Sequence, residues 1–324
     1  LPELRTDPVS GLKVIVAGER SDRPGAFLSA EEREPIDPER DPFLEGHEDR
    51  TPPEVYAVRP DGGVENGPGW TVRVVPNLYP ALGAGEQPAP SGEQELFASR
   101  PATGAHEVIV NSPRPVHSLL ELEPEEVAAA MEVWRERMHT HGEAAYVHVI
   151  VNEGQDAGAS LPHTHAQLYA LPFVPAAVAR ERERFTAYWQ TTNGRNLLED
   201  LVQEEVRRRE RIVAVDGEAV ALCPFAARVP FHVMLAPRRP AARFEDDGPL
   251  GAALLHGVLR RLAAVLGAAP PLNMWVRTAP RGAESFCWRI DILPRLAHLA
   301  GLEIGTGVHL NVLPPERAAE RLRG

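Results

Sequence analysis

Along most of the chain, apolar residues alternate with polar ones over short runs bounded by Gly, Pro, Asn or Asp, which is the pattern of half-buried strands joined by turns. "LKVIVAG" reads as an opening strand, and "EVYAV" with "WTVRVVPN" as a hairpin across the turn-rich "RPDGGVENGPG". From residue 106 the order becomes regular. "HEVIV" predicts a strand, "EPEEVAAAMEVWRERM" a helix whose Pro124 and acidic first turn suit a helix start, and "YVHVIVN" and "HTHAQLYALPF" two further strands around the small-residue turn "EGQDAGAS". Helical text follows from about Pro175 to Arg211, interrupted near "TTNGRN".

The same grammar then returns. "RIVAVDGEAVALCP" is a hairpin on Asp216-Gly217, "FHVMLAPRRP" a strand, "GPLGAALLHGVLRRLAAVLG" a helix, and "LNMWVRT" and "SFCWRIDILPR" two more strands. Strand, connection, helix, strand, strand thus occurs twice, which suggests an internal duplication. Hairpins with helices inserted at matching points favour an α+β class over a wound parallel sheet.

Composition narrows the function more than the fold. The chain has 324 residues, 43% apolar and 25% charged, enough for a large core in one or two domains. A formal charge of −12 argues against a general nucleic-acid or anionic-membrane binder. A small anionic ligand fits if cations are local, and the cations are almost all Arg, Lys13 being the sole lysine. No run approaches the roughly 20 apolar residues of a membrane span, and "LPELRTDPVSG" lacks the order of a signal peptide, so the expected compartment is the cytoplasm. Cys223 and Cys287 are far apart and support neither a disulfide framework nor a cysteine-rich zinc module.

The stretch "SLPHTHAQLYALPFVP" carries the chemistry. His163, His165 and Gln167 fall at every second position of an expected strand and would share one face as a polar row that needs partners if buried. "AGAS" before it lets backbone N–H groups approach a ligand. Three readings stand: an exposed face with incidental histidines, a metal site on paired strand histidines, and an imidazole that attacks phosphorus. Gln167 in the next inward position is a poor metal ligand.

With its neighbours, "NEGQDAGASLPHTHAQLYALPFVP" resembles the active-site segment of the galactose-1-phosphate uridylyltransferase family, a branch of the histidine-triad superfamily with the signature Ser-x-x-His-x-His-x-Gln. "ELRTDPVSGLKVIVAGERSDRP", "TPPEVYAV", "WTVRVVPNLYPAL" and "WRIDILPRLAHLAGLEIGTGVHLNVLPPERAAERLR" resemble other blocks of the family in the expected order. The resemblance implies a duplicated histidine-triad fold, a mainly antiparallel half-barrel with flanking helices. It divides the chain into an N-terminal repeat, 1–174, with the histidine strand, and a helical connection plus C-terminal repeat, 175–324.

It also implies a double displacement in which His165 attacks the α-phosphorus of a nucleoside-diphosphate sugar and holds the nucleotide until a sugar 1-phosphate collects it. Uridylyl exchange between glucose and galactose is the leading case. Phosphorolysis, hydrolysis and a non-catalytic nucleotide binder are the rivals. Ser160 and Gln167 correspond to phosphate-binding residues, and Arg20 and Arg23 to cations near the phosphates. Asn77 falls on the nucleoside side and Glu303 at the sugar hydroxyls, with Asn152 and His298 as further substrate contacts. No cofactor is required on this reading, and the expected assembly is a homodimer.

The departures concern metals. Where the family often has C-P-x-C, the text is "DPFL", with Asp41 and Leu44 in the cysteine positions. His117 and His163 remain as zinc ligands with Asp41 or His47 as a third, a set too weak for tightly held zinc, so that His163, a member of the catalytic motif, is expected to serve mainly in packing and hydrogen bonding. A second metal site in the family is expected to be empty here, because the strand reads Cys287-Trp288-Arg289 even though Glu181 matches its carboxylate.

Overall fold

The computed structural model describes residues 1–19, 33–85 and 96–324. Its centre is a ten-stranded, wholly antiparallel sheet. The strands in chain order are β3 (Tyr56–Val58), β4 (Val72–Pro76), β5 (Ala105–Val110), β6 (Tyr146–Glu153), β7 (His165–Leu171), β8 (Ile212–Val215), β9 (Ala219–Leu222), β10 (Val233–Pro237), β11 (Leu272–Arg277) and β12 (Arg289–Pro294). Across the sheet they run β3-β4-β5-β7-β6-β11-β12-β10-β9-β8, so each half presents the same order outward from the central β6–β11 pair. The α+β expectation agrees with this architecture.

Alternation along the strands sorts side chains onto two faces. On one face, helix α1 (Pro124–Thr140) connects β5 to β6 and helix α4 (Ala252–Leu266) connects β10 to β11, and both pack into one core with Trp134, Met131, Leu255 and Leu259. Glu126 accepts from the N–H of Glu123 at 2.8 Å and starts α1 beside Pro124. On the opposite face, β9 and β10 bury Val220, Leu222, Met234 and Ala236 under helices α2 (Ala176–Thr191) and α3 (Leu197–Arg208). In the first half that face is covered instead by the segment around Phe43, packed on Trp70, Val75, Val108 and Val110.

Several elements go beyond the sequence pattern. A three-stranded sheet joins β1 (Glu3–Thr6) antiparallel to β2 (Lys13–Val16), and β2 parallel to β13 (His309–Asn311), so the two ends of the chain meet. The C-terminal block forms the short helix α5 (Gly301–Thr306) and helix α6 (Pro315–Arg323).

The core also holds the residue that precedes the histidine strand. Trp134, fully buried on α1, donates from Nε1 to Asn111 Oδ1 at 3.1 Å, and Asn111 Nδ2 donates to Thr164 Oγ1 at 3.3 Å. Thr164 lies between the two histidines. Trp134→Ala is expected to cost about 3–5 kcal/mol in urea unfolding, and Trp134→Phe, which leaves the Asn111 oxygen without its donor, about 1–3 kcal/mol. An alanine variant within about 1 kcal/mol of the parent would show that this ring does not anchor the helix.

Candidate active site

Strand β7 begins at His165, so the polar row expected over three positions is broken at its first member. His163 precedes the strand and is fully buried among protein groups. Its Nδ1 lies 2.6 Å from Asp41 Oδ2 and its Nε2 2.8 Å from the carbonyl oxygen of Ser112. Both ring nitrogens are thus within hydrogen-bond distance of a protein oxygen.

His165 is held differently. Its Nδ1 lies 2.8 Å from the carbonyl oxygen of His163, and a carbonyl can only accept, so Nδ1 carries the proton and Nε2 the lone pair. Among the described residues no hydrogen-bond partner takes that Nε2. The ring is 5% exposed and stands edge-on to Phe43 at 5.3 Å between centroids. Burial pushes its pKa below the ordinary 6.5, with the bond to the His163 carbonyl opposing only in part.

His165, Gln167, Ser160 and Asn77 line one cavity of about 370 Å³, together with Phe43, Arg50, Thr51, Leu78 and Tyr79. Gly158 turns the connection before Ser160 at φ 84°, a left-handed conformation that suits glycine. Asn77 Oδ1 accepts from the N–H of Tyr79 at 2.8 Å and shapes the cavity wall. Gln167 Oε1 lies 3.0 Å from His106 Nε2 and accepts from Tyr169 Oη at 2.9 Å.

Other expected residues lie elsewhere. Asn152 does not line the cavity; its Oδ1 accepts from Asn273 Nδ2 at 2.8 Å. Glu303 lies on α5 and accepts from the N–H of Ala300 at 3.0 Å, and the exposed His298 is likewise outside the lining. Arg20 and Arg23 fall outside the described residues. Phe43, Arg50, Thr51 and His106 were not legible as site residues; His106 is one of 12 histidines with no motif of its own.

The metal ligand sets do not assemble. Both nitrogens of His163 are engaged, Asp41 also accepts from the N–H of Phe43 at 2.9 Å, and His117 Nε2 lies 2.8 Å from the carbonyl of Glu34. His47 faces the Asp41 carbonyl at 2.8 Å through Nδ1. Among the described residues no group of three or more His, Cys, Asp or Glu is arranged to hold a metal ion. At the second position, the Arg289 guanidinium grips Glu181 through two nitrogens at 3.0 and 3.1 Å, where a ligating histidine would be needed. These donor sets do not fit a bound metal.

An imidazole with its Nδ1 proton held on a backbone carbonyl, lining a cavity with a hydroxyl and a carboxamide, is an arrangement that can act as a neutral nucleophile on an α+β scaffold. The chain belongs to the galactose-1-phosphate uridylyltransferase family of the histidine-triad superfamily: the model "Galactose-1-phosphate uridyl transferase, N-terminal domain" matches residues 1–175. A second model, of a domain of unknown function, matches residues 121–323. An ADP-glucose phosphorylase of Arabidopsis thaliana is 32% identical over 99% of this chain and 92% of its own. The crystal structure of an ADP-glucose phosphorylase from that plant with bound ADP-glucose superposes with a TM-score of 0.79 at 28% identity, covering 100% of this chain and 99% of that one. A galactose-1-phosphate uridylyltransferase of Thermotoga maritima is 26% identical over 81% of this chain and 87% of its own. No helix among the described residues is long and apolar enough to cross a membrane.

An NMR titration of His165 is expected to give a pKa below 6.5, so the lone pair persists through neutral pH and is lost only on acidification. The folded state then binds fewer protons than the unfolded chain below about pH 6.5, and acidification lowers stability through this group. A value at or above 6.5 would contradict the buried, singly held ring.

Proposed function

We propose that the chain transfers a nucleoside monophosphate from a nucleoside-diphosphate sugar to a phosphate acceptor through a covalent nucleotidyl-His165. One observation carries this: the His163 carbonyl takes the Nδ1 proton and leaves the Nε2 lone pair in the cavity shared with Ser160 and Gln167. In the first step Nε2 attacks the α-phosphorus. The N–P bond forms as the bond from phosphorus to the bridging oxygen breaks, and the sugar 1-phosphate leaves with that electron pair. No proton need leave the attacking nitrogen. The imidazolium that results is stabilised by its Nδ1–H on the carbonyl. Ser160 donates to the leaving phosphate and the Gln167 amide to the phosphoryl oxygens. In the second step an acceptor phosphate oxygen attacks phosphorus and the N–P bond breaks, returning the free ring.

For substrates, ADP-glucose as donor and inorganic phosphate as acceptor are supported by the 32% identity across nearly the whole chain to the Arabidopsis enzyme of that name. Uridylyl exchange between UDP-glucose and galactose 1-phosphate is the second reading, supported by the family model and the Thermotoga relative. Arg20 and Arg23 are assigned to the phosphates by resemblance. Glu303 and His298, outside the cavity lining of this chain, are proposed to serve a second copy's site in a homodimer. The proposed enzyme needs no cofactor and acts in the cytoplasm.

Incubation with ADP-glucose is expected to raise the intact mass by one adenylyl group, His165→Asn to abolish the increase, and inorganic phosphate to clear the adduct as ADP. A uridylyl adduct cleared by galactose 1-phosphate as UDP-galactose selects the second reading. No adduct from either donor on folded protein refutes nucleotidyl transfer. Chelation with EDTA is expected to leave the thermal midpoint unchanged, and a clear drop would reveal a structural metal.

A further inference from the structure

Gln167 is useful to a phosphate only if its NH2 rather than its carbonyl oxygen faces the cavity. The choice follows from a backbone group outside the strand. The N–H of Ala81 donates to His106 Nδ1 at 3.1 Å, and a backbone N–H has no other role. His106 Nδ1 is therefore the acceptor nitrogen, and in the neutral ring Nε2 carries the proton. That Nε2–H points at Gln167 Oε1 at 3.0 Å; Asn77 Nδ2, 3.2 Å from the same nitrogen, can only donate, and with Nδ1 already accepting from Ala81 it does not take the Nε2 site, while the Tyr169 hydroxyl donates to the Gln167 oxygen at 2.9 Å. With two donors on its oxygen, the carboxamide is left with its NH2 free for the cavity it lines. Tyr169 also stacks on the His106 ring, with centroids 4.1 Å apart and planes 23° apart, so both donors are fixed in place.

The other half of the sheet repeats the device. Arg289 opens β12 as His165 opens β7, and Asp291 occupies the place of Gln167 two residues on. Gln167 is cross-strand from Val108, two beyond His106; Asp291 is cross-strand from Met234, two beyond His232. There too a backbone N–H, that of Arg228, donates to His232 Nδ1 at 3.3 Å, and His232 Nε2 lies 3.2 Å from Asp291 Oδ1. With Asp291 also accepting from Arg289 Nε at 3.0 Å, the carboxylate makes the direction of that histidine's donation unambiguous. The same backbone-to-imidazole-to-oxygen order on two separate strand pairs is an independent reason to read the His106 chain in that direction.

We infer that His106 is a positioning residue, which acts with Tyr169 by clamping the Gln167 oxygen so that the amide presents its NH2 to the transferred phosphoryl group. This rests on the nucleotidyl-transfer reading. Burial keeps His106 below the ordinary imidazole pKa, so the ring stays neutral and able to accept from Ala81.

The test measures single-turnover formation of the nucleotidyl adduct by intact mass, with ADP-glucose and UDP-glucose as donors. Gln167→Ala is expected to slow it ~10²-fold, as loss of one donor to a developing oxyanion does, and His106→Phe on the order of tenfold because Tyr169 still holds the oxygen. In a Gln167→Ala background, His106→Phe should cost less than about twofold, because the two residues act as one unit. His106→Gln, whose amide can accept from Ala81 and donate to Gln167, should recover most of the rate; it also serves as the probe if the phenylalanine variant does not fold. A His106→Phe penalty that persists undiminished without the Gln167 amide overturns the inference. So does a 15N spectrum of the wild-type protein in which His106 Nδ1 is protonated, whatever the turnover. Absence of any wild-type adduct, with the expected His106 tautomer in that spectrum, instead removes the transfer reading and with it the proposed role of His106.

Discussion

The site depends on the hydrogen bond from His165 Nδ1 to the carbonyl of His163. A backbone carbonyl cannot donate, so this bond decides which nitrogen holds the proton and which faces the cavity. The decision is only as firm as the peptide that makes it. That peptide is fixed because the His163 ring is tied at both ends, to Asp41 in the covering segment and to the Ser112 backbone beyond β5. Next to it, Thr164 is tied through Asn111 to the indole of Trp134 in the core. A continuous set of directional bonds therefore links the packing of α1 to the orientation of one lone pair. Breaking the buried Asp41–His163 pair by removing one partner would leave the other uncompensated and loosen the peptide that orients His165.

This arrangement engages the residues of a motif that has the outward form of a metal site. Two histidines at alternate positions suggest a shared ligand, but here the first ring is consumed in holding the backbone and the second is aimed by that backbone. Both His163 nitrogens already have protein partners, and the Asp41 carboxylate is committed to the ring and to the N–H of Phe43. That leaves His165 as the imidazole that burial and the direction of one hydrogen bond favour in its neutral form, with its Nε2 lone pair unshared among the described residues.

The strand–helix–strand–strand pattern of both halves was legible because alternation and helix-start signals are local, as Pro124 and the runs "YVHVIVN" and "LNMWVRT" show. The motif also picked out Ser160, His165 and Gln167, which line one cavity in the folded chain. It did not reveal that β7 starts at His165, because this depends on Asp41, 122 residues away in sequence, drawing His163 out of the row. Strands β1 and β13 went unread for a similar reason: each is short, and the first and last segments acquire strand character only by pairing with β2. The role of His106 was invisible too. It rests on the N–H of Ala81, which lies in a connection with no periodicity and meets the ring only in the folded chain.

The two halves share a sheet order but have parted in chemistry, and the point of divergence is one side chain. Where β7 begins with an imidazole, β12 begins with the Arg289 guanidinium, which reaches Glu181 on α2 with two nitrogens and Asp291 with a third. Burial opposes this charge, but the Asp291 and Glu181 carboxylates outweigh it and hold the pKa above the ordinary guanidinium value. A guanidinium that remains protonated has no lone pair to offer, so Arg289 cannot serve as a nucleophile at this position. It can do the mechanical work of a bound cation, joining the helix that follows the histidine strand to the matching strand of the other half. Among the described residues, then, the half that carries a guanidinium at this position uses it as a brace between α2 and β12, where the other half carries the imidazole of His165.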